Sequence, residues 1–314
     1  MDITQSLLFQ LAVLFLIMSL GFLLVRLRVV RSEDSRILSM LTIYLIQPCV
    51  IIRAFQINYE PKVRDGYLLA VGVAIAVNLL LLLLTWFFAR VFHLDAVERT
   101  SIMYANAGNL IIPLVESVLG SAMGDERIIY ASAFMCVQLV FIWTHGQAQI
   151  SGQKAWSWRK ILGNVNLIAV ASGLVLLLAG VRLPGIIAGA FDQLSATMGP
   201  VTMIMIGMLL ADVPWAEILR APRNYLIVAL KMMVTPLIIL LILKISGVAG
   251  MHPQGRIIVY ISFMAVITPC AATVTQLAQI YRNRPAYAGA LNALTMLTSI
   301  VTMPLMTWLY WLIP

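Results

Sequence analysis

Charge is scarce in this chain. Asp, Glu, Lys and Arg make up 11% of its 314 residues, against about a quarter in an ordinary soluble domain, which excludes a soluble globular protein. Histidine and cysteine are rarer still, with three of each. An intramembrane zinc or aspartyl enzyme needs HExxH or paired aspartates; neither occurs in an apolar segment, so no catalysis and no cofactor are expected. Cys49, Cys136 and Cys270 are odd in number and lie in apolar stretches. That speaks against a disulfide or metal framework, and they read as small buried hydrophobes. Acidic residues are the minority charge, leaving a net +8. The anionic inner leaflet of a bilayer is partner enough for that excess, and no nucleic acid is called for. Long polar runs are also missing: the longest, GQAQISGQKAWSWRK from Gly146 to Lys160, leaves no room for a soluble domain.

What the chain has instead is hydrophobic residues, 61% of the total. Apolar segments of about 20 residues, enough for a helix to cross a core of about 30 Å, recur along it. They centre near Leu16, Leu45, Asn78, Leu110, Val137, Ala171, Met203, Val234, Ile267 and Ser299, giving ten expected spans. The first opens on Met1 and Asp2 without a basic leader, so it is expected to be retained rather than cleaved. With the N-terminus outside, the inner loops hold thirteen Lys and Arg residues and the outer loops seven. This bias predicts a multi-pass protein of the cell membrane with both termini outside and the central loop in the cytoplasm.

The two halves echo each other. Pro48 follows Gly21 by 27 positions and Pro200 follows Gly173 by the same 27; Tyr104 precedes Pro113 by nine and Tyr260 precedes Pro269 by nine. Shifts of 152 and 156 residues superimpose the halves. An odd number of spans, five, separates equivalents, so the second half is expected to lie inverted, a common transporter plan. The expected division is 1–145 for the first five-helix repeat, 146–160 for the connecting loop and 161–314 for the second repeat. Within this frame the stretch NAGNLIIP, Asn106 to Pro113, places two amides and a helix-breaking proline inside the fourth span. Pro113 deprives the Asn109 carbonyl of its partner, and Pro269 in ITPCAATVTQ does the same to Ala265. Breaks of this kind survive in a membrane only beside protein or water. The new half-helix after each proline aims free N–H groups back at the break, which would attract an anion. The polar neighbours Asn106, Asn109, Thr268 and Thr273 form the candidate site with Pro113 and Pro269, and Gln47 lies beside the matched bend at Pro48.

These residues resemble the auxin efflux carrier family. NAGNLIIP is similar to its fourth-helix motif, with Asn106 seven positions before Pro113; LTIYLIQPCVI resembles its second helix, and ITPCAATVTQLAQIY with LTMLTSIVTMPLMTWLY its ninth and tenth. The resemblance implies an all-α integral membrane fold of ten helices in two inverted five-helix repeats. Broken helices four and nine would cross, as in bile-acid symporters and sodium/proton antiporters. It implies elevator-like carriage of a small organic anion, auxin-like or a mono- or dicarboxylate. VQLVFIWT is similar to the fifth helix of the plant exporters and adds Gln138 to the substrate site. The long cytoplasmic loop of many plant exporters is absent, and Asn109 with the LII after it replaces usually smaller residues.

Other polar residues have blander expectations. Lys231 is placed to snorkel to the inner interface, with a counter-charge role as the alternative. Asp192 reads as a helix cap, and His145 and Asn292 are candidates for proton or cation handling. Direction, driving ion and substrate stay open, and the chain is compatible with a homodimer. A sodium- or proton-coupled symporter, an anion channel and a transporter-like receptor are the competing readings.

Overall fold

The computed structural model describes residues 3–56, 61–107, 111, 115, 126–152 and 163–313. Among them the chain is helical, apart from turns and one isolated β-bridge. In chain order the helices are α1 (Ile3–Arg26), α2 (Ser32–Ala54), α3 (Pro61–Phe92), α4 (Ala96–Met103) and α5 (126–151). There follow α6 (Val165–Leu178), α7 (Gly185–Leu210), α8 (Pro222–Ile245), α9 (Gly255–Ile267), α10 (Ala272–Ile280) and α11 (Pro285–Leu312).

Six of these, α2, α3, α5, α7, α8 and α11, are long and apolar enough to cross a membrane. Shorter apolar helices occupy Ala12–Arg26, Val165–Leu178 and Gly255–Ile267. The fourth expected span is represented by α4, which stops after eight residues. Surface and core are sorted for a hydrocarbon solvent: Leu16, Leu178, Ile186 and Ile245 are exposed, while Gln47, Asn78, Asn166, Gln276 and Asn292 are buried. Lipid tails give apolar side chains no reason to hide, so close packing and interhelical hydrogen bonds hold the helices together.

Close packing is clearest where α1 meets α7. A Cβ on Gly21 would lie 2.2 Å from the Ile204 carbonyl oxygen, and one on Gly207 would lie 1.9 Å from that of Met18. Only glycine at both places lets the two backbones touch. The α6–α2 contact also uses a glycine, Gly173, here against the Phe55 ring just past the end of α2. Exchange of the halves therefore maps α1 on α7 onto α6 on α2. It also maps α3 on α5 onto α8 on α11, and α3 on α9 onto α8 on α4. Helices α1, α2, α6 and α7 form one group, and α3–α5 with α8–α11 the other.

Three π-helical turns interrupt the long helices, at Thr42–Ile46, Ile142–Gly146 and Leu230–Val234. Such turns free backbone groups, and they gather at functional places. The Ile43 carbonyl in the first accepts from Asn166 Nδ2 at 3.1 Å, fastening α2 to α6. At the second, the Phe141 carbonyl accepts from the Tyr104 hydroxyl at 3.0 Å.

Candidate functional site

Polar ties place α4 before its path breaks. Asp95 caps its first turn and Glu98 reaches back to the Asp95 N–H, a capping box closed at 2.9 Å on both sides. Glu98, itself 1% exposed, accepts from Arg223 Nε at 2.5 Å and Nη2 at 2.6 Å, and from the Tyr287 hydroxyl. Arg223 also donates to the Phe92 and His93 carbonyls at the end of α3. One guanidinium thus binds the end of α3, the start of α4 and the start of α8.

Beyond Met103 the backbone leaves the helix. Tyr104, Ala105 and Asn106 run extended alongside Pro269, Cys270 and Ala271. Ala105 and Cys270 are paired in an antiparallel bridge: the Asn106 N–H donates to the Pro269 carbonyl and the Ala271 N–H to the Tyr104 carbonyl, both at 2.9 Å. This pairing satisfies backbone groups that no water could reach. Both bridge residues are buried, and each has a carbonyl facing a side-chain donor. Ala105 accepts from Gln138 Nε2 at 2.7 Å, and Cys270 accepts from Asn292 Nδ2 at 2.8 Å. The Cys270 N–H donates to Thr295 Oγ1. Helical backbone resumes at Ala107 and at Ala272.

Two expectations change here. The break in the fourth span lies at Tyr104–Asn106, ahead of Pro113, because long-range pairing with the ninth span interrupts the helix. The bridge relates Ala105 to Cys270, so Tyr104 corresponds to Pro269 and the shift of 156 does not relate the breaks. Pro269 suits its place, since the bridge asks it for a carbonyl and not for an N–H. Nor is the Ala265 carbonyl orphaned; it accepts from Thr268 Oγ1 at 2.8 Å and from the Thr268 N–H at 3.4 Å.

A cavity of about 20 Å³ lies against the bridge, lined by Gln47, Val50, Ala105, Asn106, Gln138, Leu139, Ile142, Met198, Ala271 and Thr273. Of the expected site residues, Gln47, Asn106, Gln138 and Thr273 therefore come together, from α2, the first break, α5 and the start of α10. Pro269 sits in the bridge. Thr268 turns away to hold Ala265, and Asn109 and Pro113 lie outside the described residues. The volume suits about one water. Gln138 spends its N–H on Ala105, and its Oε1, like that of Gln47, has no donor among the described residues. Among the described residues no side chain caps the N-terminus of α10. A second cavity, of about 510 Å³, lies at the end of the molecule where α5 joins α6. Ile43, Tyr44, Trp143, Gln147, Asn164 and Tyr281 line it with Gly163, Val165, Asn166, Leu277 and Ile280. Ile142 lines the small cavity and Ile43 and Trp143 the larger one, about one turn along α2 and α5 from Gln47 and Gln138.

Lys231 is the residue whose bland expectation fails. It is 1% exposed and does not snorkel; its Nζ is buried and has no hydrogen-bond partner among the described residues. The π turn of α8 carries it to the neighbourhood of Cys270 in the bridge. The C-terminal ends of α4 and α9, with their partial negative charge, stop at this same crossing. Asn292 and Thr295 are legible in the sequence only as polar residues in an apolar helix; their partner, the Cys270 backbone, is 22 and 25 positions away. Asp192 is an ion-pair partner, bound to Arg53 at 2.5 Å within α7.

A multi-pass helical bundle whose two halves exchange their packing, with paired helix breaks inside it, has the build of a membrane carrier. The model of the membrane transport protein family matches residues 6–155 and again 153–307, one copy on each half. The chain belongs to that family, the auxin efflux carrier or PIN-like family, whose members are transporters and not enzymes. No curated protein matches it.

Proposed function

We propose that the protein is a secondary transporter for a small organic anion, an aromatic monocarboxylate or a dicarboxylate, with ten spans in two inverted repeats. The crossing of α4 and α10 with its attached helices moves as a body against α1, α2, α6 and α7. The observation that supports this reading is the buried bridge between Ala105 and Cys270 with a polar cavity beside it. Uncapped N–H groups of α10, the Asn106 amide and the Lys231 charge would receive a carboxylate there. The cavity of about 20 Å³ is too small for one, so loading requires the two groups to separate along Ile43, Ile142 and Trp143, opening the site toward the larger vestibule. The Arg-rich ends of the spans favour a vestibule on the cytoplasmic side of the cell membrane, with both termini outside.

The test is uptake into proteoliposomes of a panel of aromatic and dicarboxylic acids, with sodium, pH and voltage varied separately. A carrier saturates and shows counterflow of labelled acid; flux that neither saturates nor exchanges would assign a channel instead. Asn106→Ala should weaken binding of the carried acid by one to two decades, the loss of one charge-assisted hydrogen bond of about 1.5–3 kcal/mol. Wild-type affinity in that variant removes Asn106 from the site. A cation-coupled mode is favoured by one observation. Gln47 Oε1 and Gln138 Oε1 are acceptors without donors among the described residues, which a sodium ion or a protonated acid would satisfy; uptake dependent on sodium or on a proton gradient would establish it.

A further inference from the structure

Two polar features, the vestibule by Gln147 and Tyr281 and the buried Lys231, belong to the transport path proposed above. A third feature is separate from both. A cavity of about 340 Å³ opens on the flank of the molecule between α3, α4 and α5, lined by Leu82, Leu83, Thr85, Trp86, Arg99, His145 and Gln149. Its outer wall is apolar and open: Leu83 and Trp86 are 63% and 56% exposed in the C-terminal third of the apolar span α3. Its inner end is cationic. Arg99 is held by Nε donating to the Leu94 carbonyl at 2.8 Å, and its terminal N–H groups have no acceptor among the described residues. At the rim the Arg90 guanidinium lies over the Trp86 ring, 4.3 Å from its centroid. Among the described residues the nearby acids are engaged elsewhere: Asp95 pairs with Arg284, and Glu98 with Arg223. A space open to hydrocarbon, with the Arg99 guanidinium in its lining and that of Arg90 stacked on its Trp86, fits a molecule with an apolar chain and an anionic head.

We propose that this cavity binds an anionic phospholipid, its phosphate between Arg99 and Arg90 and an acyl chain along Leu82, Leu83 and Trp86. The site is one residue from the break. His145, on its wall, bonds through Nδ1 to the Tyr104 hydroxyl at 2.8 Å, and the Tyr104 carbonyl accepts the Ala271 N–H of the bridge. A lipid held here fastens α4 to α3 and α5 next to the crossing, and so stabilises the folded protein.

The experiment is native mass spectrometry of the purified full chain with phosphatidylglycerol or phosphatidylcholine of identical acyl chains, alongside thermal unfolding in each lipid. Phosphatidylglycerol should be retained about five- to thirtyfold more tightly, as one to two guanidiniums near an anionic headgroup imply, and should raise Tm more than phosphatidylcholine does. Arg99→Gln should abolish both preferences and Arg99→Lys should keep most of them. Arg90→Gln, an exposed substitution, gives the same reading with partial loss if Arg99→Gln does not fold. Equal retention of the two lipids overturns the proposal, as does a preference that survives both glutamine variants. Displacement of phosphatidylglycerol by millimolar inorganic phosphate also overturns it, since a free anion would then be the ligand. Because binding is read without transport, its failure leaves the carrier reading untouched.

Discussion

Gln138 and Asn292 do the same job on opposite strands of one bridge: each amide nitrogen donates to the carbonyl of a bridge residue, at 2.7 Å to Ala105 and 2.8 Å to Cys270. One comes from the fifth span and the other from the last. The equivalence carries the internal duplication down to a single hydrogen bond, and it gives the Asn292 amide nitrogen a backbone-holding role, while its Oδ1, like Gln138 Oε1, has no donor among the described residues.

That equivalence predicts matched costs. Gln138→Leu and Asn292→Leu each leave a buried carbonyl without a donor, a penalty of about 1–3 kcal/mol. Partners gained in the unfolded membrane state reduce it toward about 0.6 kcal/mol. Thermal unfolding in detergent should show similar drops in Tm for the two variants. A drop in one and none in the other would mean that the two amides are not equivalent.

Lys231 offers a test in which two effects oppose each other. Removing its ammonium loses a favourable interaction with the C-terminal ends of α4 and α9, worth up to about 2 kcal/mol. It also relieves a desolvation penalty of several kcal/mol for an ion without a partner. The second is larger, so Lys231→Met should unfold at the same or a higher temperature than the parent while losing anion uptake. A variant that is destabilised and still transports would show the ammonium to be a structural counter-charge alone.

The helical bundle, six of the spans and the companions at the break are legible in the sequence, because a bilayer leaves long apolar runs and intramembrane amides few places to go. Asn106 and Pro269 stand out in that way, and Gln138 through the family resemblance. The position of the first break does not. Nothing local in YAN forbids a helix; Tyr104–Asn106 is extended because Pro269–Ala271, some 165 residues away, offers it a second set of hydrogen bonds. Lys231 misleads for a related reason. Its distance from the span's end allows snorkelling, and only the packing of α4 and α11 around the π turn closes that route. The Glu98–Arg223 pair is hidden because its members lie 125 residues apart at span ends, where charges are expected to be solvated.

Glu98 therefore carries its own prediction. Its carboxylate takes two guanidinium bonds and a tyrosine hydroxyl while buried, whereas the Arg223 side chain is 43% exposed. Glu98→Gln should cost about 1.5–3 kcal/mol, the range for hydrogen bonds to charged groups, and Arg223→Gln should cost more, because it leaves a buried carboxylate uncompensated. The double variant should be more stable than Arg223→Gln alone. Unfolding temperatures in the reverse order would show the pair to be a solvated surface bridge.

The α1–α7 contact is the sharpest steric prediction. At Gly207 a methyl group would sit 1.9 Å from the Met18 carbonyl oxygen, and backbone cannot yield as a side chain tip does. Overpacking in a well-packed interior costs about 1–3 kcal/mol where side chains can adjust, and this contact leaves them no such freedom. Gly207→Ala should lie at or beyond the upper end, and Gly21→Ala should resemble it, since its Cβ meets Ile204 at 2.2 Å. Gly72 supplies the control: it lies in the interior of α3 with nothing within 4 Å of its added Cβ. Gly72→Ala should therefore raise stability by about 0.5–1 kcal/mol through helix propensity alone. Parallel unfolding curves for the three variants separate the causes. If Gly207→Ala tracked Gly72→Ala, the two helices would not be in backbone contact, and the group of α1, α2, α6 and α7 would lose its claim to be the rigid partner against which the crossing moves.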